Sequence, residues 1–280
     1  MFPAPALEDE LGDVLEKALK IAGFCEEELA VRSGVDVNRI KDVLDYRYAL
    51  SPADLNAIAR VLRLNEAGVQ ALAVGRFPAP ELRGLPFRLD VLAMPYGVGV
   101  VNAYLVRPVA DESTALLVDS GHCPDALERT WPNDARRLDA HLVTHWDPDH
   151  SGGCGETLAR FDLSYCCGPG PAREGVRVLR DGEVLNVGAF RVEALATPGP
   201  AREHLCFLVG LVDQPESTRV LFCGDLFFCG SIGGGFHEPA RVLFHARRLW
   251  RTLAGATVVA PGHGPLTTIA HERTNNPFSD

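Results

Sequence analysis

The chain has 280 residues, of which 46% are hydrophobic and 23% charged, and its formal net charge is −10. This length predicts one large domain or two unequal ones, with enough apolar material for a substantial core. The acidic balance argues against general affinity for nucleic acid or anionic membranes, because both attract basic surfaces. No apolar run reaches the roughly 18 residues of a membrane span.

The N-terminus and the cysteines indicate the compartment. Residues 1–6 carry no basic charge, and acidic residues follow at Glu8–Glu10, so no signal peptide is predicted. Eight cysteines are dispersed along the chain without a CxxC pair, which favours reduced thiols. We therefore expect a cytoplasmic protein with no membrane partner.

Residues 10–74 show helical spacing of apolar residues throughout. Ala30, Gly34 and Ile40 stand where a helix-turn-helix needs a small residue, a turn glycine and a buried aliphatic. This segment resembles the phage-repressor-type (Xre) helix-turn-helix domain. The resemblance implies a recognition helix at 36–45 and DNA contacts through residues 26–45.

The charge of this segment opposes DNA binding. Residues 1–78 carry nine Lys or Arg and thirteen Asp or Glu, so an acidic surface would have to overcome phosphate repulsion. The alternative is a helical module that forms a homodimer or covers the second domain.

A domain boundary is expected at the Pro- and Gly-rich stretch 75–80, which lacks periodic apolar residues. The sequence predicts a helical domain at 1–76, a linker at 77–84 and a second domain at 85–280. Short β-rich runs interleaved with helices in the second domain predict an α/β layered fold. The strands are expected at 87–94, 98–106, 115–118, 141–144, 191–196, 205–212, 220–223 and 257–260.

The stretch 144–153 packs four metal-capable side chains into six positions: His145, Asp147, Asp149 and His150. Such a density of ligands indicates a metal site more than a solvated acidic loop. Gly152 and Gly153 are expected to let the backbone curl around the ligands.

Four other stretches place polar residues directly after apolar strands: 118–121, 197–204, 222–225 and 260–264. From Asn102 to Gly264, the order of these motifs resembles the metallo-β-lactamase superfamily. The resemblance implies an αββα four-layer sandwich with a two-metal site at one edge. It assigns His145 and Asp147 to the first metal and Asp149, His150 and His263 to the second, with Asp225 bridging both.

Two positions depart from the family pattern, and both affect the first metal. Position 147 is usually histidine, and another histidine ligand usually stands where this chain has Pro200. A carboxylate at 147 makes the site harder, which favours iron or manganese over zinc. His204 is the candidate replacement for the missing ligand; otherwise it supports a ligand or faces the substrate.

The remaining candidates have supporting roles. Asp149 and His204 are expected to be catalytic, and Asp119 is expected to orient a ligand histidine. Trp146, Phe228 and His237 are candidates for the wall of a substrate pocket.

The leading hypothesis is a hydrolase with one or two divalent ions per chain, iron or zinc or else manganese. A metal-bound hydroxide would attack a small-molecule ester, thioester, lactone or phosphodiester. One alternative is a di-iron protein that reacts with oxygen or nitric oxide. The other is a DNA-binding regulator whose metal domain acts as a sensor.

Overall fold

The computed structural model describes residues 6–47, 50–82, 84–97, 99–172, 174–234 and 237–279. Five helices come first, which confirms the all-α character of the N-terminal segment: α1 (Leu11–Ala22), α2 (Glu26–Ser33), α3 (Val37–Leu44), α4 (Pro52–Leu62) and α5 (Glu66–Ala73). Gly23 ends α1 in the left-handed conformation, at φ 67°. The side chains of Asp36 and Ser51 cap α3 and α4.

Two six-stranded mixed sheets follow. The first has the order β1 (Arg88–Tyr96), β2 (Gly99–Arg107), β3 (Thr114–Val118), β4 (Arg137–Leu142), β5 (Cys166–Gly168) and β6 (Val176–Val178). The second has the order β14 (Thr267–Thr268), β13 (Val258–Pro261), β10 (Val220–Gly224), β9 (Leu205–Leu211), β8 (Phe190–Ala196) and β7 (Val184–Val187). A small hairpin joins β11 (Phe227–Phe228) to β12 (Ser231–Ile232).

Helices cover the outer face of each sheet, which makes the four-layer αββα sandwich. α6 (Pro124–Thr130), α7 (Pro148–Ser151) and α8 (Cys154–Arg160) follow strands of the first sheet, and α9 (Pro239–Thr252) and α10 (Ile269–Asn275) belong to the second half. Tyr104, Phe207 and Phe222 belong to a hydrophobic cluster to which both sheets contribute. The fold class predicted from the sequence is confirmed.

The N-terminal helices share a core with the second sheet. Leu15 of α1 and Leu29 of α2 belong to the same buried cluster as Leu208 of β9 and Trp250 of α9. The start of α5 contacts the C-terminal segment, where the amide of Asn65 donates to the carbonyl of Pro277 at 2.7 Å. Helices α1–α5 therefore pack against the sandwich over a continuous apolar surface.

The sequence pattern does not predict six of the short strands, and it predicts β4 at a shifted position. β5, β6, β7, β11, β12 and β14 have two to four residues each, too few for an alternating pattern. β4 was predicted at 141–144 but occupies 137–142. It ends early because the amide of Thr144 donates to the side chain of Asp119 at 2.8 Å instead of pairing with a neighbouring strand. Among the described residues, no helix combines the length and apolarity of a membrane span.

Candidate metal centre

The predicted ligands come together at one edge of the sandwich, where strands of both sheets end. His145 follows β4, while Asp149 and His150 lie on the short helix α7. Asp225 directly follows β10, and His263 lies two residues after β13. Side chains placed at strand ends by two packed sheets can converge without distorting either sheet.

The glycine pair after these ligands has a packing role that the sequence did not indicate. Gly152 and Gly153 have ordinary φ angles of −62° and −89°. A Cβ atom on Gly152 would overlap the carbonyl oxygen of His122, and one on Gly153 would lie 2.6 Å from that of Ser120. The glycines therefore allow the ligand-bearing turn to approach the 120–122 segment closely.

One ligand group contains Asp149, His150 and His263, whose ligand atoms lie within 4.8 Å of one another. The Nε2 atom of His263 is 3.5 Å from Oδ2 of Asp149 and 3.7 Å from Oδ1 of Asp225. The Nε2 atom of His150 is 3.3 Å from the same Asp225 oxygen. Two imidazoles and two carboxylates thus face one point.

The other ligand group contains His145, His150 and Asp225. The Nε2 atom of His145 lies 3.9 Å from Oδ2 of Asp225 and 3.6 Å from Oδ2 of Asp147. Asp147 is more than half exposed and lies at the rim of this group. Asp225 is therefore shared between the two groups, with one oxygen toward each.

His204 also points toward the first group. Its ring centroid is 5.1 Å from that of His145. Its Nε2 atom lies beside Gly224, the residue before Asp225, at 2.8 Å from the position that a Cβ atom on this glycine would take. The preceding Pro200 is buried and offers no ligand atom. His204 is thus the nitrogen donor that the chain offers on the side of the missing histidine.

A fixed partner holds Nδ1 of each of the four histidines. The partners are Oγ1 of Thr144 for His145 at 3.0 Å, Oδ2 of Asp119 for His150 at 3.0 Å, Oγ1 of Thr197 for His204 at 2.8 Å, and the carbonyl of Val100 for His263 at 2.8 Å. With the proton on Nδ1, each ring presents the lone pair of Nε2 to the centre. The carboxylate of Asp119 contacts both His150 and Thr144, as expected of a residue that orients candidate ligands.

Burial and charge set the protonation of these groups. Burial lowers the pKa of His204, and the neighbouring His145 lowers it further, so this imidazole is neutral at neutral pH. Burial opposes the charge on Asp225, but the histidines around it outweigh burial and hold its pKa below the usual range. His204 and Asp225 are therefore in the forms that bind metal. Burial also opposes a charge on His150 and His263, but Asp225 with Asp119 raises the pKa of His150, and Asp149 with Asp225 raises that of His263, so metal binding would displace protons from these two rings.

Four buried atoms in the described part of the chain lack any hydrogen-bond partner and face this centre: Nε2 of His145, His150 and His204, and Oδ1 of Asp225. Unpaired buried polar atoms are costly, and such convergence is typical of groups that bind a cation. The donor set of nitrogens and carboxylate oxygens suits zinc, iron or manganese. The residues present thus fit one or two divalent ions.

A cleft of 550 Å³ opens over this centre. Of the predicted pocket residues, Phe228 lines the cleft and lies against His263, with ring centroids 5.7 Å apart. Trp146 and His237 are not among its described lining residues. Trp146 donates to the carbonyl of Pro169, and His237 lies beside Glu238 at 3.6 Å.

Sequence reasoning missed several contributors. Thr144, Thr197 and the carbonyl of Val100 fix ligand rings, and only the folded chain brings them there.

A separate group of Cys229, His271 and Glu272 also brings three metal-capable side chains together. Glu272, however, already accepts hydrogen bonds from Gly230, Thr267 and Asn276, and burial raises its pKa to about 7, so we treat this group as structural.

Comparison with known families agrees with this geometry. Residues 96–263, more than half of the chain, match the model of the metallo-β-lactamase superfamily. The chain belongs to this superfamily. The matched region begins within β1, so helices α1–α5 lie before it.

The curated relatives are named as hydrolases. A probable hydroxyacylglutathione hydrolase of Schizosaccharomyces pombe is 30% identical over 180 residues, which cover 62% of this chain and 68% of the relative. The hydroxyacylglutathione hydrolase of Citrobacter koseri is 28% identical over 159 residues, which cover 55% of this chain and 58% of the relative. This chain is a metallo-β-lactamase-fold hydrolase whose substrate these matches leave unassigned.

Two solved structures show the same fold over two thirds of the chain. The B3 metallo-β-lactamase BLEG-1 has a TM-score of 0.57 and 24% identity, and the similarity covers 69% of this chain and 99% of that one. TTHA1623 in a di-iron-bound form has a TM-score of 0.52 and 27% identity, covering 66% of this chain and 98% of that one. The metal centre described above lies within residues 96–263, the region that matches the superfamily model.

Proposed function

We propose that this chain is a metal-dependent thioesterase that hydrolyses small acyl thioesters. The observation that carries the proposal is the convergence of unpartnered buried ligand atoms from His145, His150, His204 and Asp225 at the base of an open cleft. The names of the curated relatives favour a thioester over the other bonds predicted from the sequence. The carboxylates that line the cleft disfavour a phosphodiester, whose charge they would repel.

The chain's own residues would support attack on an acyl carbon. A bound divalent ion would supply a Lewis acid and lower the pKa of water. Asp149 lines the cleft with Oδ2 between His150 and His263, so it is placed to orient the attacking water and accept its proton. Phe228 and the buried ligand histidines exclude bulk water from the base of the cleft, which strengthens these electrostatic contacts.

Metal content and turnover test this proposal together. Asp225→Ala and His263→Ala should each lower bound metal, measured by elemental analysis, and reduce thioester hydrolysis by at least about 100-fold. Asp213→Ala removes an exposed carboxylate beyond the far end of β9 and should change neither value. Full turnover in a correctly folded Asp225→Ala protein would contradict the proposal.

A di-iron protein is the second candidate, because TTHA1623 is described in a di-iron-bound form and Asp147 adds a hard ligand beside His145. Iron-loaded protein that shows a visible absorption band responsive to oxygen or nitric oxide would favour it. A spectrum unchanged by either gas, together with thioester turnover, would favour the hydrolase.

DNA binding through residues 26–45 has weaker support. In the described structure, Arg39 of α3 pairs with Asp54 at 3.3 Å, and Lys41 pairs with Glu27 at 2.7 Å. The helix that the Xre resemblance assigns to the major groove thus has both of its cations beside carboxylates, which reduces its attraction for phosphate. Titration of labelled duplex DNA at low salt tests this function, and sedimentation tests the predicted homodimer.

A further inference from the structure

The cleft over the metal centre has two chemically different sides. The candidate ligands Asp147, Asp149, Asp225 and His263 form one side. Helix α1 and the segment before it form the other, with Glu8, Asp9, Asp13, Glu16, Lys17 and Lys20. Any substrate that reaches the metal centre through this cleft therefore passes along α1, outside the region that matches the superfamily.

The α1 side is anchored to the sandwich. The Nζ atom of Lys17 donates to the carbonyl of Ile232 at 2.8 Å and lies 5.3 Å from the ring centroid of Phe228. The inner face of the helix is buried, with Val14 and Leu15 fully inaccessible. This arrangement makes α1 a fixed wall of the site.

The charges on this wall do not cancel. Lys17 forms an ion pair with Asp9, and Lys20 forms one with Glu16. Among the described residues, Asp13 accepts hydrogen bonds from two neutral donors, the amide of Glu10 and the hydroxyl of Tyr46. Glu8 lies 3.8 Å from Nδ1 of His263, a nitrogen that already donates to the carbonyl of Val100.

Glu8 and Asp13 thus have no Lys or Arg partner in the described part of the chain. A metal ion on Nε2 of His263 would keep that ring neutral, so neither carboxylate would then be paired with a cation. The carboxylates of the candidate metal ligands are a different case, because bound metal ions would offset their negative charge. An aromatic surface accompanies the two carboxylates, since Tyr96 lines the same cleft and is 41% exposed. Carboxylates beside an accessible aromatic ring are typical of sites that bind an organic cation.

We infer that the α1 wall binds the thiol arm of the substrate and selects a cationic arm over an anionic one. This inference rests on the proposed thioesterase function and specifies its substrate class. At separations of about 8 Å in a water-filled cleft, each carboxylate favours a monovalent cation by about threefold and disfavours an anion by the same factor. A glutathione arm, with two carboxylates and one ammonium group, would fit this wall poorly.

Matched thioacetates test the inference. Acetylthiocholine is cationic, S-(3,3-dimethylbutyl) thioacetate is its neutral isostere, and S-acetyl-3-mercaptopropionate is anionic; thiol release reports kcat/KM for each. We expect the cation to exceed the neutral isostere by about tenfold and the anion by about 100-fold at low salt. The preference should shrink between about 0.02 and 0.5 M NaCl, because salt screens exposed charges.

Substitutions at Glu8 and Asp13 test whether these carboxylates cause the preference for the cationic thioacetate. Glu8→Gln and Asp13→Asn should each lower the cation-to-neutral ratio of kcat/KM about threefold, and the double variant about tenfold. Glu216→Gln changes the net charge equally but lies in the exposed loop between β9 and β10, so it should leave the ratio unchanged. An anion preference in the wild type, or a ratio that the double variant leaves intact, would overturn the inference.

The design separates failure of the inference from failure of the proposed function. Good turnover of the neutral isostere without cation preference would refute the inference and leave the thioesterase in place. If no thioacetate is hydrolysed, calorimetric titration with choline and with 3,3-dimethylbutan-1-ol replaces turnover. Choline binding that weakens in the double variant would then support the cationic site, and equal or absent binding of both probes would refute it.

Discussion

The substitution at Pro200 and the position of His204 define the unusual half of the metal centre. Pro200 removes a nitrogen ligand that the superfamily pattern places there. His204 lies four residues later, with Nδ1 fixed by Thr197 and a buried, unpartnered Nε2 facing the first group. A protein without a metal at this point would gain nothing from leaving that nitrogen unsatisfied.

We therefore predict that His204 is the replacement ligand. Wild-type protein should bind two divalent ions per chain, whereas His204→Ala should bind one, because His150, His263 and Asp149 remain intact. Elemental analysis after exhaustive dialysis measures the stoichiometry, and competition with a chromogenic chelator measures affinity. His237→Ala, at an exposed histidine, is the control; two tightly held ions in His204→Ala would show that another group ligates the first metal.

The sequence indicates which side chains converge at the centre, but it does not indicate which residues hold their rings in place. His145, Asp149 and His150 stand together in one short stretch, so their density alone indicates a metal site. Thr197 and Val100 lie far away in the chain and are ordinary residue types, so only the packed sheets bring them to the rings. Glu8 was not predicted to approach His263, because nothing in the sequence placed the N-terminal segment beside the last motif.

At the level of elements, the contact between α5 and the C-terminal segment joins the last N-terminal helix to residues 274–279. The side chain of Asn65 caps α5 and also donates to the carbonyl of Thr274 at 3.0 Å. One turn into the helix, a Cβ atom on Gly68 would overlap the carbonyl oxygen of Asn275 and lie 3.1 Å from the nitrogen of Pro277. This glycine is required because two backbones approach closely, with no steric room for a methyl group.

Gly68→Ala should therefore destabilise the protein by about 2 kcal/mol or more, although alanine is the better helix former, because the clash is with backbone that cannot rotate away. Gly155→Ala is the matched control. Gly155 lies in α8 with open space around it, so the same substitution should be neutral or stabilising by up to about 1 kcal/mol. Urea unfolding of both variants measures the difference, and equal stabilities would show that α5 does not dock as described.

Helices with clear caps were predictable, and the short strands were not. The boundary of α1 follows from Gly23 and that of α4 from Ser51 and Pro52, since local chemistry determines both. The strands β11 and β12 have two residues each, and their pairing depends on the surrounding fold. Sequence patterns predict an element when residues within or next to it determine its boundaries. They do not predict an element whose formation depends on contacts with distant parts of the chain.

For the whole molecule, the central question is whether the N-terminal helices and the sandwich behave as one cooperative unit. The change of sequence pattern near residue 77 predicts two domains. The apolar faces of the helices were also predictable, but the surface that they cover was not, because β9, α9 and the C-terminus lie more than 120 residues away in the chain. The shared core makes independent unfolding of the helices costly, since it would expose the outer face of the second sheet.

We predict a single thermal transition for the full chain, and Leu29→Ala tests it. Leu29 is fully buried in α2, so its truncation should cost about 2–5 kcal/mol and lower the midpoint by about 5–10 °C. Trp131 and Trp146 lie in the sandwich half of the chain outside the core that the helices share, whereas Trp250 lies within that core. Their fluorescence should therefore shift by the same amount as the circular dichroism signal, which also reports the N-terminal helices. Leu138→Ala, in the cluster on the outer side of the first sheet, should likewise shift the fluorescence and dichroism midpoints together. In a Trp250→Phe background, fluorescence reports only Trp131 and Trp146. If Leu29→Ala moved the dichroism midpoint there and left the fluorescence midpoint unchanged, the helices would unfold as a separate domain, and α1 would not be a rigid wall of the cleft.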